Sequence, residues 1–388
     1  MLRRVETRPT YRHGACSLNI KKLEIFGFKS IDHLILEDVS PFSVFAGSNG
    51  AGKSNIADAL AFFGRVVAVG AVEAMRELGG FSYIHCFGRD EDDKATIGFA
   101  IDIELKGEFH QYELTIFSAD SKPLLQELMS INGVVYFDIK PNMRVRHREW
   151  GHEGVRETSI KLEDKSGLRM FGSYLLELLL TKTRIFRIDP LLAKAPNTYN
   201  IDNSELSTDG SNVATILASL EKDEEFVEQV MEWLELIVPS MEKITSETQH
   251  LDGSTVLTFH EEGLKKRFPA RLVSDGTMYT LCILTAVLSR VKKPGITIIE
   301  EPERGIHPKA IGELVNLMRE NASVNHPIFL TTHSEAVVRN LKPAELALVD
   351  KEDGKTVVHF AKDAGVDESQ ISLDKAWLSN LFDGGLPW

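Results

Sequence analysis

One glycine-rich stretch constrains this chain more than any other part of it. Residues 47–54 read Gly-Ser-Asn-Gly-Ala-Gly-Lys-Ser and fit the pattern G-x-x-x-x-G-K-[ST]. The apolar run 42–45 before it is typical of a strand, and residues 55–63 after it are typical of an amphipathic helix. In this order, backbone N–H groups and a helix N-terminus converge on phosphate oxygens. The motif predicts a nucleotide-phosphate site made by Gly47, Ser48, Asn49, Gly50, Ala51, Gly52, Lys53, Ser54 and Asn55.

Two side chains of this loop predict a metal-dependent site. Lys53 is placed to reach the β- and γ-phosphates, and the Ser54 hydroxyl is placed to hold Mg²⁺. The alternative is a chance glycine turn without a ligand. A complete motif between a strand and a helix disfavours that alternative, because a chance turn requires neither neighbour.

Composition bounds the class of protein and its compartment. The 388 residues are 43% hydrophobic and 26% charged, an ordinary soluble globular mixture. No apolar run approaches the roughly 20 residues that a membrane span needs. Three cysteines without metal-ligand spacing are typical of a reducing compartment. We therefore expect a cytoplasmic protein with no membrane partner.

The charge balance limits contact with nucleic acid. A formal net charge of −13 disfavours a protein whose whole surface binds nucleic acid. Two local basic runs, at residues 144–148 and 265–271, stay open as contact sites for nucleic acid or an acidic partner. Such runs are more often solvated faces.

The spacing of apolar residues predicts an α/β fold. Residues 95–105 and 112–117 alternate apolar and polar side chains around a Lys-Gly-Glu turn, which predicts an antiparallel hairpin. In the last third, short apolar strands alternate with helices, which predicts a parallel sheet under helical cover. These strands are expected at 296–299 and 327–331, and the helices at 278–288 and 310–320. Further helices are expected at 168–181, 211–220 and 224–238.

Two carboxylates follow the apolar strand at 296–299. In this position one acid holds the Mg²⁺ shell and a second polarises the attacking water, so we assign Glu300 to the metal and Glu301 to the water. Asp is usual at the first of these positions, and Glu300 therefore leaves metal geometry and hydrolysis rate open. The alternative is a pair of acids at a helix N-terminus, which the glycine loop upstream disfavours.

Two further places have both a functional and a structural interpretation. His333 ends the apolar strand at 327–331, and a lone histidine there is more often structural, but its position after the two acids favours a functional role. Ser274 and Gly276 precede an apolar helix and offer a second phosphate-binding surface. Locally, an ordinary N-cap by Ser274 or Asp275 is the simpler interpretation, and the position just before the acid-bearing strand favours the phosphate surface.

The four motifs in this order resemble the ABC-type ATPase heads of the SMC, RecF and OLD-like families. Residues 47–55 are similar to their Walker A motif, and residues 273–277 to a variant of their signature motif. Residues 300–308 resemble the Walker B motif and D-loop of OLD-like AAA family ATPases. Residues 331–334 resemble their switch histidine. The family's glutamine after the first helix has no clear counterpart, and Gln111 is a poor match.

This resemblance implies an α/β P-loop NTPase with an ABC/SMC-like head. We expect a mixed sheet with flanking helices, an antiparallel β subdomain and a mainly helical insertion. The expected parts are a loose N-terminal extension at 1–17, a discontinuous head at 18–120 and 250–388, and a mainly helical insertion at 121–249.

The resemblance also implies an activity. Two heads meet head to tail around two ATP molecules, with the Walker A loop of one facing Ser274 and Gly276 of the other. Glu301 and His333 would be catalytic, with His333 contacting the γ-phosphate, and Ser54 and Glu300 would hold Mg²⁺. ATP would then join the heads, and slow hydrolysis would release them.

Two absences in the sequence refine this expectation. No sustained heptads interrupt the head as in SMC proteins, and the 55 residues after His333 show no DxD-type cluster of a TOPRIM nuclease. The resemblance therefore implies a stand-alone ATPase of the antiphage-defence type, whose effector comes from a neighbouring gene. A RecF-like DNA-repair ATPase, a transporter subunit and an ATPase homologue without turnover remain as alternatives.

Overall fold

The computed structural model describes most of the chain. The described residues are 18–86, 96–117, 123–140, 144–148, 154–159, 162, 164–198, 204–249, 252–365 and 370–382. The predicted extension at 1–17 lies outside them, as do residues 383–388. No described helix has both the length and the apolar composition that crossing a bilayer requires.

The described residues form eighteen strands in three sheets. In chain order the strands are β1 Leu18–Phe28, β2 Ile31–Glu37, β3 Phe42–Ala46, β4 Thr96–Leu105, β5 Glu108–Phe117, β6 Leu124–Ile131, β7 Val134–Ile139, β8 Arg144–Arg148, β9 Val155–Ser159, β10 Arg184–Phe186, β11 Asn197–Thr198, β12 Met241–Thr248, β13 Ser254–Glu261, β14 Phe268–Pro269, β15 Thr297–Glu300, β16 Ile328–Thr332, β17 Leu346–Glu352 and β18 Lys355–Phe360.

Twelve α-helices lie among the same residues. They are α1 Lys53–Val69, α2 Ala71–Glu77, α3 Phe81–Ile84, α4 Leu168–Phe171, α5 Tyr174–Thr181, α6 Pro190–Ala193, α7 Val213–Leu220, α8 Glu224–Ile237, α9 Asp275–Leu288, α10 Pro308–Asn321, α11 Glu335–Val338 and α12 Leu373–Leu378.

The largest sheet is antiparallel, with the strand order β2-β1-β4-β5-β6-β7-β8-β9. Buried and more exposed residues alternate along its strands, so one face packs on a core. The predicted hairpin is confirmed as β4 and β5. Its two-residue turn, Lys106 and Gly107, has φ of 55° and 80°. Positive φ at both residues is typical of a type I′ turn, whose twist matches the right-handed twist of the two strands.

The second sheet carries the predicted parallel strands. Its order is β10-β15-β16-β3-β17-β18, and all neighbours are parallel except β17 and β18. Every residue of β3 and β16 is buried, as expected for strands covered on both faces. Because parallel strands end at one edge, the loops after β3, β15 and β16 meet there.

Helix α1 connects this edge to the antiparallel sheet. Its Phe63 ring stacks on Phe99 of β4 and Tyr112 of β5, with ring centroids 5.0 Å and 5.8 Å apart. Burying an aromatic side chain of this size contributes about 1.5–3 kcal/mol. The helix that follows the glycine-rich loop is therefore held firmly on the antiparallel sheet.

The helix α9 is buried on all sides, unlike the amphipathic helices around it. All twelve residues from Thr277 to Leu288 are buried. The end of the described chain joins the same core, where Trp377 is fully buried and Phe382 is 5% exposed. The C-terminal segment therefore packs on its own head as far as Phe382.

The prediction that residues 121–249 are mainly helical is wrong. The described part of this stretch contains seven strands, β6 to β12, as well as five helices, α4 to α8. Strands β6 to β9 extend the antiparallel sheet, and β10 joins the parallel sheet beside β15. Backbone pairing of β6 with β5 and β7 makes this stretch a strand, and every second side chain of β6 is buried. The division of the chain into domains stays a prediction.

The single helix predicted at 168–181 is interrupted. Gly172 and Ser173 leave the helical region, with ψ of −179° and 126°, and separate α4 from α5. Glycine and serine have weak helix propensity, and a serine favours the start of a new helix.

A fully buried carboxyl joins the extended sheet to α4. Glu127 of β6 accepts hydrogen bonds from the backbone N of Gly167 at 2.8 Å and from the Ser166 hydroxyl at 3.2 Å. Burial raises the pKa of Glu127 from 4.5 to about 7, although these hydrogen bonds act in the opposite direction.

We expect Glu127→Gln to gain stability relative to the wild type as pH rises. Between about pH 4.5 and 7 the folded protein keeps the Glu127 proton that the unfolded chain loses, so wild-type stability falls across this window, by on the order of 3 kcal/mol. Urea unfolding of both proteins at several pH values measures the difference. A difference that does not change with pH would contradict the raised pKa.

Candidate functional site

The predicted strand, loop and helix are confirmed around the glycine-rich stretch. The loop 47–52 connects β3 directly to α1. Gly50 and Gly52 have φ of 84° and 110°, a region that residues with a side chain rarely adopt. A Cβ on Gly52 would also lie 2.0 Å from Oγ1 of Thr356. Glycine is therefore required here by both the backbone and the neighbouring strand β18.

Three hydroxyl and amide side chains support this loop. Thr356 Oγ1 donates to the Ala51 carbonyl at 3.1 Å and lies 2.6 Å from the Ser30 hydroxyl. The amide Nδ2 of Asn55 donates to the same Ser30 hydroxyl at 2.6 Å. The β1–β2 turn and β18 thus fix the end of the loop that leads into α1.

Lys53 is buried at the start of α1. Its Nζ donates to the carbonyl oxygens of Gly47 and Ser48, at 2.8 Å and 2.7 Å. Burial lowers the pKa of Lys53 below its ordinary value, and Coulombic attraction by the acids Glu301, Glu303 and Glu300 partly opposes that effect. The ammonium is therefore held inside the loop with acidic groups near it.

A polar cleft of about 180 Å³ joins the loop to the two acids after β15. The predicted phosphate loop and the predicted metal and water-polarising acids share this cleft. Of the predicted loop residues, Gly47, Ser48 and Ala51 do not line it. Its lining residues are Asn49, Gly50, Gly52, Lys53, Ser54, Asn55, Glu300, Glu301 and Thr331.

Glu301 has an unusual backbone that its neighbours hold in place. Its φ is 49°, which costs a residue with a side chain on the order of 1–3 kcal/mol. The backbone N of Glu301 donates to the Thr331 carbonyl at 2.8 Å. The Tyr279 hydroxyl donates to the backbone carbonyl of Glu301 at 2.8 Å. Burial raises the pKa of Tyr279, so this hydroxyl stays a donor. Strain maintained by neighbours in this way is typical of functional sites.

The structure brings together the two residues predicted to be catalytic. The imidazole Nδ1 of His333 lies 3.3 Å from Oε1 of Glu301, and both side chains are about half exposed. The strand before His333 is fixed to the loop, because the backbone N of Gly47 donates to the Thr332 carbonyl at 3.3 Å. His333 itself is not among the residues that line the cleft.

Ser274 and Gly276 lie elsewhere. Ser274 is the N-cap of α9, and its hydroxyl accepts a hydrogen bond from the backbone N of Thr277 at 3.0 Å. Gly276 lies so close to the loop after β15 that a Cβ would be 2.2 Å from the Gly305 carbonyl oxygen. Ser274 is exposed, and neither residue lines the cleft of its own chain.

Sequence reasoning missed Arg187, which lies beside the cleft and contacts its lining residue Glu300. It follows β10 directly, beside the end of β15, and its guanidinium binds both carboxylate oxygens of Glu300, at 2.9 Å and 3.0 Å. It also contacts Asp58 of α1. Burial disfavours the charge of Arg187, but hydrogen bonds to Glu300 and Asp58 outweigh burial and raise its pKa. Only pairing of the short strand β10 with β15 brings this arginine to the site.

The segment after Arg187 leads to the second predicted phosphate surface. Asp189 caps α6 by accepting from the backbone N of Leu191 at 2.8 Å. Lys194, which follows α6, pairs with Asp275 beside Ser274. Gln111, by contrast, lies in β5 and hydrogen-bonds Asp102 at 3.4 Å, and it does not line the cleft.

Comparison with known proteins decides the family. The model of the family AAA_21, described as "AAA domain, putative AbiEii toxin, Type IV TA system", matches residues 42–339. That range takes in most of the chain and all four motifs. The chain belongs to the AAA_21 family. It is therefore a P-loop ATPase domain, and membership implies a bound nucleotide, usually with Mg²⁺.

A curated relative of this AAA_21 chain is similar over a short stretch. "Structural maintenance of chromosomes protein 5" of Arabidopsis thaliana is 27% identical over 128 residues, which are 31% of this chain. The match spans 12% of that protein's length.

Solved structures show the fold. An SMC head bound to the C-winged helix domain of ScpA has a TM-score of 0.54 and 16% identity, and the match covers 89% of this chain and 99% of that one. An SMC head with an extended coiled coil, bound to a ScpA domain derived from Pyrococcus furiosus, has a TM-score of 0.50 and 14% identity, with 89% and 98% coverage. The predicted α/β P-loop NTPase with an ABC/SMC-like head is thus confirmed.

The oxygen atoms at the cleft fit a Mg²⁺ ion that is held by only one or two protein side chains. Within the described part of the chain, no group of three or more His, Cys, Asp and Glu side chains could hold a metal. Mg²⁺ commonly takes one or two protein oxygens together with phosphates and waters. The Glu300 carboxylate, which already attracts a guanidinium, and the Ser54 side chain both line the cleft and supply such oxygens.

Proposed function

We propose that this protein is an ATP-hydrolysing switch that closes head to tail with a second copy of itself around two ATP molecules. Ser274 and Gly276 carry this proposal. They begin a buried helix of 14 residues, outside the cleft formed by their own phosphate loop, and Ser274 is exposed. A hydroxyl and free backbone N–H groups at a helix N-terminus favour phosphate. The phosphate that meets them would be held by the loop of another chain.

Each cleft would supply the groups for hydrolysis. The Lys53 ammonium would turn from the loop carbonyls to the β- and γ-phosphates, and Ser54 and Glu300 would hold Mg²⁺, which neutralises developing phosphate charge. Glu301 would orient and polarise the attacking water. His333, 3.3 Å from Glu301, would hold this carboxylate in place and contact the γ-phosphate.

The γ-phosphate would thus be part of the interface between the two heads. With ATP bound, Ser274 and Gly276 of one head would bind the phosphate held by the other. Hydrolysis would remove that shared group, and the heads would separate. Nucleotide state would therefore control the distance between the two copies.

We expect the wild-type protein to double in mass when it binds a slowly hydrolysed ATP analogue with Mg²⁺. Light scattering should show a change from the 43.4 kDa of one chain to twice that mass. Ser274→Asp is the matched control, because aspartate caps a helix as well as serine but repels phosphate. It should bind nucleotide and stay monomeric. A wild-type protein that is saturated with nucleotide and still monomeric would contradict the proposal.

We further propose that this switch controls a partner effector, a nuclease from a neighbouring gene, in a prokaryotic defence system. The family description names a toxin of a type IV system, which supports such a setting. Two similar SMC heads bind ScpA domains, which supports a protein partner for heads of this fold. Co-purification with the neighbouring gene's product, with ATP and with ADP, tests this. Equal association of the two proteins with ATP and with ADP would contradict control by the switch.

Direct DNA binding of the RecF or SMC type is the second candidate. The similarity to an SMC protein favours it, and so do the exposed side chains of Lys265, Lys266 and Arg271. Duplex DNA titrated over a salt series decides the matter, because phosphate contacts weaken as salt rises. No binding at low salt would remove this candidate.

A further inference from the structure

Arg187 and Glu300 form a bidentate ion pair at the predicted metal site. Nη2 of Arg187 donates to Oε1 at 2.9 Å and Nε donates to Oε2 at 3.0 Å, so both oxygens of Glu300 are engaged. Paired hydrogen bonds of this kind are stronger than single neutral ones. The cation therefore occupies the carboxylate that is assigned to Mg²⁺.

The surroundings make this cation replaceable. The side chains of Glu300 and Asp58 are 16% and 14% exposed, whereas that of Arg187 is 42% exposed. The two carboxylates are thus largely buried, and the Arg187 guanidinium reaches them from the solvent side. Asp58 has a second cation in Lys29, so the departure of Arg187 leaves only Glu300 without a partner among these groups.

We propose that Arg187 is an internal cation that occupies Glu300 and that a divalent metal ion must displace. This inference rests on the assignment of Glu300 as a metal ligand in the proposed function. The Arg187 guanidinium engages both oxygens of Glu300, so a metal ion on the same carboxylate would compete with it, and each would weaken binding of the other. Arg187 would keep free divalent ions out of the cleft, and an ion that also binds phosphates would succeed where a free ion fails.

Binding of Mn²⁺ alone, without nucleotide, tests this directly. Free Mn²⁺ is measured by electron paramagnetic resonance, and manganese favours the same oxygen ligands as magnesium. Arg187→Met removes the charge and keeps the length of the side chain. We expect it to bind Mn²⁺ about tenfold more tightly than the wild type, as the loss of a charged, bidentate competitor implies.

Arg184→Met is the matched control. Arg184 begins β10, the strand that Arg187 follows, and pairs with Glu205 at 2.9 Å. Arg290 and Lys182 also lie within 4 Å of that acid. This variant should bind Mn²⁺ like the wild type. The double variant Arg187→Met with Glu300→Gln should lose the gain, because the freed carboxylate is gone.

Two results would overturn the inference. The first is Mn²⁺ affinity of Arg187→Met within about twofold of the wild type. The second is a gain that survives Glu300→Gln. If Arg187→Met does not fold, Arg187→Lys takes its place, because lysine keeps the charge without the bidentate geometry. It should show a smaller gain in Mn²⁺ affinity. Wild-type Mn²⁺ affinity in Arg187→Lys would equally count against the inference. Nucleotide binding by the wild type is measured separately. A wild-type protein that does not bind nucleotide would contradict the proposed function and would leave the Mn²⁺ result to decide the inference about Arg187.

Discussion

Replacing Glu301 by glutamine is expected to slow phosphate release by about 100- to 1,000-fold and to leave ATP binding intact. A glutamine keeps the size of the side chain but cannot accept a proton from water. The strained backbone at this residue is held by contacts to its N–H and carbonyl, which the substitution does not touch. Single-turnover phosphate release and ATP titration measure the two effects separately.

Glu320→Gln is the matched control for this experiment. Glu320 lies on the exposed surface of α10, and its substitution should leave both measurements unchanged. The variant Glu301→Gln should also accumulate as an ATP-bound dimer, because the shared phosphate persists. Turnover within about threefold of the wild type would show that another group activates the water.

Replacing Lys53 by methionine is expected to weaken ATP binding by about 100-fold, since hydrogen bonds from a charged donor to phosphate are lost. Methionine keeps the apolar stem that is buried at the start of α1. In the wild type Lys53 is only 7% exposed, and the two loop carbonyls position its ammonium. Calorimetric titration with ATP measures the affinity of both proteins.

Lys222→Met is the control for Lys53→Met, because Lys222 is exposed before α8. It should bind ATP like the wild type. Thermal unfolding of each variant separates a loss of ligand contacts from a loss of fold. Wild-type ATP affinity in a folded Lys53→Met protein would remove Lys53 from the phosphate site.

Most of the site could be predicted because its residues lie in short, continuous motifs. The loop 47–55 needs only local glycine geometry and the helix that follows it. Glu300, Glu301 and His333 end neighbouring parallel strands, and such strand ends meet at one edge of a sheet. Period-two alternation likewise predicted β4 and β5 with their turn.

Other features depend on pairing that a sequence does not display. The strand β10 has three residues, too few for a periodic pattern, yet it places Arg187 beside Glu300. The helical patterns at 168–238 dominate the sequence between 121 and 249, and the alternation of β6 is one of burial, which only its pairing with β5 reveals. An N-cap at Ser274 or Asp275 is the local alternative that the sequence offers, but the position of Ser274 relative to the cleft needed the fold.

A mixture of two inactive variants tests the composite site most directly. Lys53→Met lacks a working phosphate loop but keeps Ser274, and Ser274→Asp has the opposite defect. If one site is built from two chains, a mixed dimer contains one complete site, and the mixture should regain ATP hydrolysis that neither protein has alone. Hydrolysis by the mixture that stays at the sum of the two separate proteins would contradict a site shared between two copies.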